Sequence, residues 1–141
     1  MIAVVDYEVG NVGSVLNMLK KLGIASNLTR KAHDLKQSKA LILPGVGSFD
    51  EGMLKLKKHE LVDVLNDVVV GNSKPCLGIC LGMQLMAEGS EEGSMAGLGW
   101  IRSKVIRFRR DPALPRLRVP HMGWNSVRPT HPVHPLFENL S

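Results

Sequence analysis

The sequence predicts an α/β fold, an open and mostly parallel sheet with flanking helices, followed by an antiparallel extension. Three observations lead there. Ile2–Val5, Ala40–Leu43 and Cys76–Ile79 are continuous apolar runs, the texture of strands buried on both faces. Between them lie stretches with apolar residues at helical spacing, so strand and helix alternate up to about residue 88. Beyond that point the texture changes to a polar, glycine-rich loop and then two strand-like stretches.

In order along the chain, Ile2–Val5 ends at Asp6, and Tyr7-Glu8-Val9-Gly10-Asn11 reads as a loop. Val12, Val15, Leu16, Leu19 and Leu22 mark one face of a helix that Gly23 ends. Ala25–Leu28 is a second strand, Ala32–Gln37 a short helix, and Ala40–Leu43 a third strand that Pro44 stops. Gly52–Lys58 and Glu60–Val70 read as helices, with Leu61, Leu65, Val68 and Val69 on the buried stripe of the second. Gly71–Lys74 is a turn, Cys76–Ile79 a fourth strand and Leu81–Glu88 a helix. Gly89–Gly99 is a loop, and Ile101–Phe108 and Val119–Val127 are the strands of the extension. The tail Pro129–Ser141 has little regular structure.

Composition narrows the class. At 141 residues, 44% hydrophobic and 22% charged, the chain suits one soluble globular domain spanning 1–141. No apolar run approaches the roughly 20 residues that cross a bilayer, and the start reads as a strand and not a secretion signal. No membrane association is expected. Cys76 and Cys80, the two cysteines, would lie about 13 Å apart on one strand, too far for a disulfide. They read as free thiols of a cytoplasmic protein, and C-x-x-x-C without a nearby ligand pair is a poor zinc signature, so no metal is expected. The net charge of +5 concentrates at Arg102, Lys104, Arg107, Arg109, Arg110, Arg116 and Arg118. Phe108 is the only aromatic between Ile101 and Arg118, so base stacking has no support there. The cluster reads as a solvated sheet edge or a protein-partner face, and no nucleic acid is expected.

The stretch with chemistry in it is Lys74–Gln84, KPCLGICLGMQ. Gly78-Ile79-Cys80-Leu81-Gly82 has the G-x-nucleophile-x-G spacing of a sharp strand-to-helix turn, with cysteine as nucleophile. The turn strains the central backbone, and its flanks must be nearly free of side chains for strand and helix to approach. A thiol at the start of a helix is expected to ionise more easily than a free cysteine. Attack on an amide also needs donors for the developing oxyanion. The N–H of Leu81 is one candidate, and the Pro44-Gly45-Val46-Gly47 loop after the third strand is the other. Asp6, residues 44–47 and Cys80 all fall at C-terminal strand ends, where reactive groups of open α/β sheets gather. A buried core cysteine beside two turn glycines is the alternative.

Together, Pro44–Gly47 followed by Met53, Lys74–Gln84, and Pro120-His121-Met122-Gly123-Trp124-Asn125 resemble the class I glutamine amidotransferases. The last motif is most similar to glutaminase subunits of imidazole glycerol phosphate synthase, from histidine biosynthesis. Val5-Asp6-Tyr7 with Gly10-Asn11 fits as well, and the resemblance runs over the whole chain. It implies a flavodoxin-like sheet and no cofactor. It implies that Cys80 forms a glutamyl thioester and releases ammonia, and that Val46, Gly47 and Leu81 hold the oxyanion. It gives Gln84 and Glu92 to the glutamine substrate. His121, Met122, Trp124 and Asn125 fall on a segment facing a (β/α)8-barrel cyclase subunit, which uses the ammonia to make imidazole glycerol phosphate and AICAR. An amidotransferase feeding a sugar-modifying synthase is the related alternative.

The sequence departs from this family at one point. The family completes its triad with a histidine and a glutamate in a later H-P-E-type segment. Here His131-Pro132 and His134-Pro135 are not followed by glutamate. The expectation is a domain incomplete at its C-terminal side, a fragment of a normal subunit. A degenerate relative that keeps only its partner face is the alternative. A third reading, a different thiol hydrolase, would need Asp6 or Glu51 to assist the cysteine.

Overall fold

The computed structural model describes residues 1–109, 123–126 and 128. The chain divides into two compact units, Met1–Arg107 and Phe108–Ser141. In the first unit, four strands form a parallel sheet: β1 (Ile2–Val5), β2 (Ser26–Thr29), β3 (Ala40–Gly45) and β4 (Cys76–Cys80), in the order β2-β1-β3-β4. The helices are α1 (Val12–Lys21), α2 (Ala32–Gln37), α3 (Phe49–Lys58), α4 (Leu61–Asn66) and α5 (Leu81–Leu85), and a π turn over Asp67–Gly71 continues α4.

Local chemistry accounts for the helix ends. Asn11 accepts the N–H of Ser14 and caps α1, and Lys20 and Lys21 close it where carbonyl ends favour cations. Ser48 caps α3 by accepting the N–H of Glu51. Ser48-x-x-Glu51 is a capping box, which starts α3 three residues earlier than the apolar pattern indicated.

The two sheet faces are covered differently. Ala3, Val5, Leu41 and Leu43 pack with Leu35 of α2, Phe49, Met53 and Leu56 of α3, Leu61 and Leu65 of α4, and Leu81 and Leu85 of α5. On the opposite face Val4 and Ile42 meet Leu19, with Val12, Val15 and Leu16 of α1 alongside. Leu77 and Ile79 pair with Ile42 and Pro44 on this second face, yet they stay 54% and 39% exposed.

Three expectations need correction. Pro44 does not stop β3. It stands inside the strand, paired with Ile79, but beyond Ile42, the last residue of β3 that pairs with β1, so no β1 ladder bond needs the N–H it lacks. The helix expected over Leu81–Glu88 ends at Leu85, and a short strand, β5 (Ala87–Ser90), follows at once. The strand expected over Ile101–Phe108 is β6 (Ile101–Val105), which ends three residues early. β6 pairs in parallel with β5, a strand the sequence did not mark, because the loop 91–100 carries the chain back to the start of β5 before β6 begins. Of the expected strand Val119–Val127, residues 124–126 carry no regular structure and Gly123 is at a bend; the remainder lies outside the described residues.

Candidate active site

The end of β4 and the start of α5 form one sharp turn. Cys80 is both the last residue of β4 and the N-cap of α5, with φ 53° and ψ −117°. A non-glycine residue held there costs about 1–3 kcal/mol and persists only where its surroundings enforce it. Its two glycine flanks do so. A Cβ on Gly82 would fall onto the carbonyl of Leu43, and one on Gly78 would sit 2.5 Å from the Cα of Met83. Strand and helix therefore approach backbone to backbone, and Cys80 is left exposed at the apex.

The 44–47 corner lies beside it. Gly45 of β3 is the register partner of Cys80. Val46 and Gly47 follow at once, both exposed, and Gly47 has φ +106°, a conformation that favours glycine. Leu81 buries its side chain, and its N–H, at the first position of a helix, has no acceptor within that helix. The thiol and the amides of 46, 47 and 81 thus border the same strand ends.

Gln84 is half-buried, one turn along α5 from Cys80. Glu92 is exposed in the loop 91–100. That loop is tethered: the carboxylate of Asp50, in the first turn of α3, accepts the N–H groups of Ser94 and Met95 at 2.9 Å each. These bonds hold the Asp50 carboxyl below the usual carboxylate range. His121 and Met122 lie outside the described residues. Trp124 is fully exposed and Asn125 is exposed. Of the basic cluster, Arg102, Lys104, Arg107 and Arg109 are exposed, and Arg110, Arg116 and Arg118 lie outside the described residues.

The carboxylates considered as helpers are placed too. Asp6 is engaged by Arg30 at 2.6 Å. Glu51 lies beside the 44–47 loop, its Oε2 3.9 Å from where a Gly47 Cβ would be. Of the two described histidines, His59 sits between Arg30 and Glu8, and His33 is exposed on α2, which follows the strand at the other edge of the sheet. Among the described residues no group of three His, Cys, Asp or Glu converges to hold a metal ion, and no helix is long and apolar enough to cross a membrane.

Cys76 and Cys80 are both free thiols in unlike settings. Cys76 packs against the larger core, and burial pushes its pKa up to about 12. A groove of about 550 Å³ along α1 and β2, lined by Leu16, Lys20, Ile24 and Leu28 among others, includes none of these residues.

Sequence reasoning missed several residues that hold this unit together. Tyr7 is fully buried and donates its hydroxyl to the carbonyl of Pro44 at 2.5 Å. Lys74 donates to the carbonyls of Leu35, Lys36 and Ser38, closing the end of α2. Glu8 binds Arg30 and Lys55, which holds its pKa near 2. The Ser48 capping box had a readable signal. The others did not, because their partners lie 22 to 47 residues away.

A strained strand-to-helix turn with a cysteine at its apex, beside a glycine loop, points to a class, and the comparisons agree on one. The family profile described as "Glutamine amidotransferase class-I" matches residues 3–140, and the chain belongs to this family. It is 51% identical over 136 residues to the imidazole glycerol phosphate synthase subunit HisH 2 of Pseudomonas aeruginosa, covering 94% of this chain and 65% of that protein. It is 48% identical to the HisH 2 subunit of Methanococcus maripaludis, covering 91% of this chain and 62% of that one. The HisH subunit of Gloeothece citriformis is 44% identical over 99% of this chain and 64% of its own length. The chain thus spans somewhat under two thirds of these curated relatives. Among solved structures, one described as a glutamine amidotransferase matches with a TM-score of 0.62 and 25% identity, covering 76% of this chain and 57% of that one.

Proposed function

We propose that this chain carries the nucleophilic half of a glutaminase site whose ammonia serves a synthase partner in histidine biosynthesis. Cys80 attacks the side-chain amide of glutamine: the sulfur–carbon bond forms and the carbonyl π pair moves onto oxygen. The backbone amides of Val46, Gly47 and Leu81 hold that oxyanion. The amide nitrogen takes up a proton as the oxyanion collapses and leaves as ammonia, and a glutamyl thioester remains on Cys80. Water then releases glutamate. Gln84 and Glu92 hold the substrate. The acid–base partner that protonates the leaving ammonia comes from outside the described residues, since His59 and Asp6 are engaged elsewhere. No cofactor takes part.

The observation that carries this reading is the strained conformation of Cys80, in register with Gly45. The test is a glutamine analogue carrying a chloromethyl ketone. It should modify Cys80 and spare Cys76, whose raised pKa of about 12 leaves little thiolate at pH 8. Equal labelling of the two, or no labelling of Cys80, counts against the proposal.

The exposed Trp124 supports a docking role for the segment containing His121, Met122, Trp124 and Asn125, in a cytoplasmic heterodimer with a (β/α)8-barrel cyclase. The names of the relatives favour imidazole glycerol phosphate synthase over a sugar-modifying synthase. Trp124→Ala should weaken the complex at least about tenfold, measured by calorimetry, as removal of a large aromatic anchor does. A non-catalytic partner-binding protein shares this expectation, and chloromethyl ketone labelling separates the two.

A further inference from the structure

The Val5-Asp6-Tyr7…Gly10-Asn11 stretch has no part in the chemistry above, yet two of its residues press on the oxyanion corner. Tyr7 is fully buried. A buried hydroxyl needs a partner, and this one donates to the carbonyl of Pro44 at 2.5 Å. Pro44 has no N–H, so this residue's own backbone can hydrogen-bond only through its carbonyl. The oxygen of Tyr7 also lies against the next residue: a Cβ on Gly45 would meet it at 2.5 Å, with the N of Gly82 at 2.8 Å. From the same loop, a Cβ on Gly10 would lie 3.2 Å from the N of Gly45. Gly45 is the register partner of Cys80.

We propose that Tyr7 is a positioning residue for the glutaminase chemistry: by gripping the Pro44 carbonyl, it fixes the peptides leading into Val46 and Gly47 so that their amides face the carbonyl under attack by Cys80. This rests on the amidotransferase reading and deepens it. The phenol stays protonated, as a donor must. Burial raises its pKa well above the ordinary value, and the nearby charge of Cys80 adds to this.

Two reagents separate positioning from folding. The glutamine chloromethyl ketone passes through a tetrahedral oxyanion before sulfur displaces chloride. Iodoacetamide alkylates by direct displacement and forms no oxyanion. Tyr7→Phe keeps the ring and should slow chloromethyl ketone labelling of Cys80 by roughly 10- to 100-fold while iodoacetamide labelling stays within about twofold. Both rates unchanged, or both falling together, overturns the proposal. A parent protein that iodoacetamide labels but the chloromethyl ketone does not overturns the amidotransferase reading as well. Tyr7 is the only tyrosine, so 3-fluorotyrosine can be placed there alone without altering the packing. Its single 19F resonance should move when the chloromethyl ketone adduct forms on Cys80. A resonance that does not move overturns the proposal even if Tyr7→Phe fails to fold.

Discussion

Among the described residues, one face of the four-stranded sheet is covered by α2, α3, α4 and α5, while the other has α1 over β1 and β3 and leaves Leu77 and Ile79 of β4 exposed. The turn at Cys80 belongs to the covered face. Gly78 and Gly82 admit α5 there, and Cys76 packs, partly buried, against the same side chains. The geometry of Cys80 therefore needs only β3, β4, α5 and the loop after β1. The open face contributes nothing to it. Among the described residues β4 also has no strand on its outer side.

The sharpest way to break this contrast is a pair of substitutions. Gly82→Ala drives a methyl group into the carbonyl of Leu43, a backbone atom that cannot give way. It should cost ~3 kcal/mol or more and largely abolish folding, as severe overpacking does. Leu77→Ala, two residues from Ile79 on the open face, should change stability by only about 0.5 kcal/mol. Urea denaturation measures both. A cost for Leu77→Ala in the 2–5 kcal/mol range of buried leucines would mean that this face is covered after all.

The smaller expectation concerns the charged rim where the loop after β1 meets β2 and α3. Glu8 is bound by Arg30 and Lys55, and its pKa falls from 4.5 to about 2. A depressed carboxylate pKa stabilises the fold above its unfolded value, and that contribution is lost as pH falls through the folded value. The parent should thus melt slightly higher than Glu8→Gln at pH 7. The difference should shrink from about pH 4.5 and vanish near pH 2. Thermal scans across that range check this. A difference independent of pH would show that Glu8 acts through packing and not charge.

Much of this fold was legible in the residues. The apolar runs located β1, β3 and β4, and helical spacing located α1, α2 and α4, because a continuous apolar run differs plainly from an amphipathic helix. The G-x-C-x-G spacing located the turn at Cys80, since backbone contact between strand and helix admits only glycine. What escaped depended on tertiary partners. β5 is only four residues long, AEGS, and exists because β6 pairs with it. Asp50 reads as an ordinary first-turn acid until the loop 91–100 folds onto it. Tyr7 reads as a loop residue until β3 brings Pro44 to its hydroxyl.

The ammonium of Lys74, bound to three carbonyls at the end of α2, has a consequence at a distance. It anchors the chain just before β4 begins, so the strand is measured from that fixed point. A slip of one residue would turn every side chain of β4 to the opposite face and take the sulfur of residue 80 away from Gly45. The alignment of the reacting end is thereby set from the other end of the sheet.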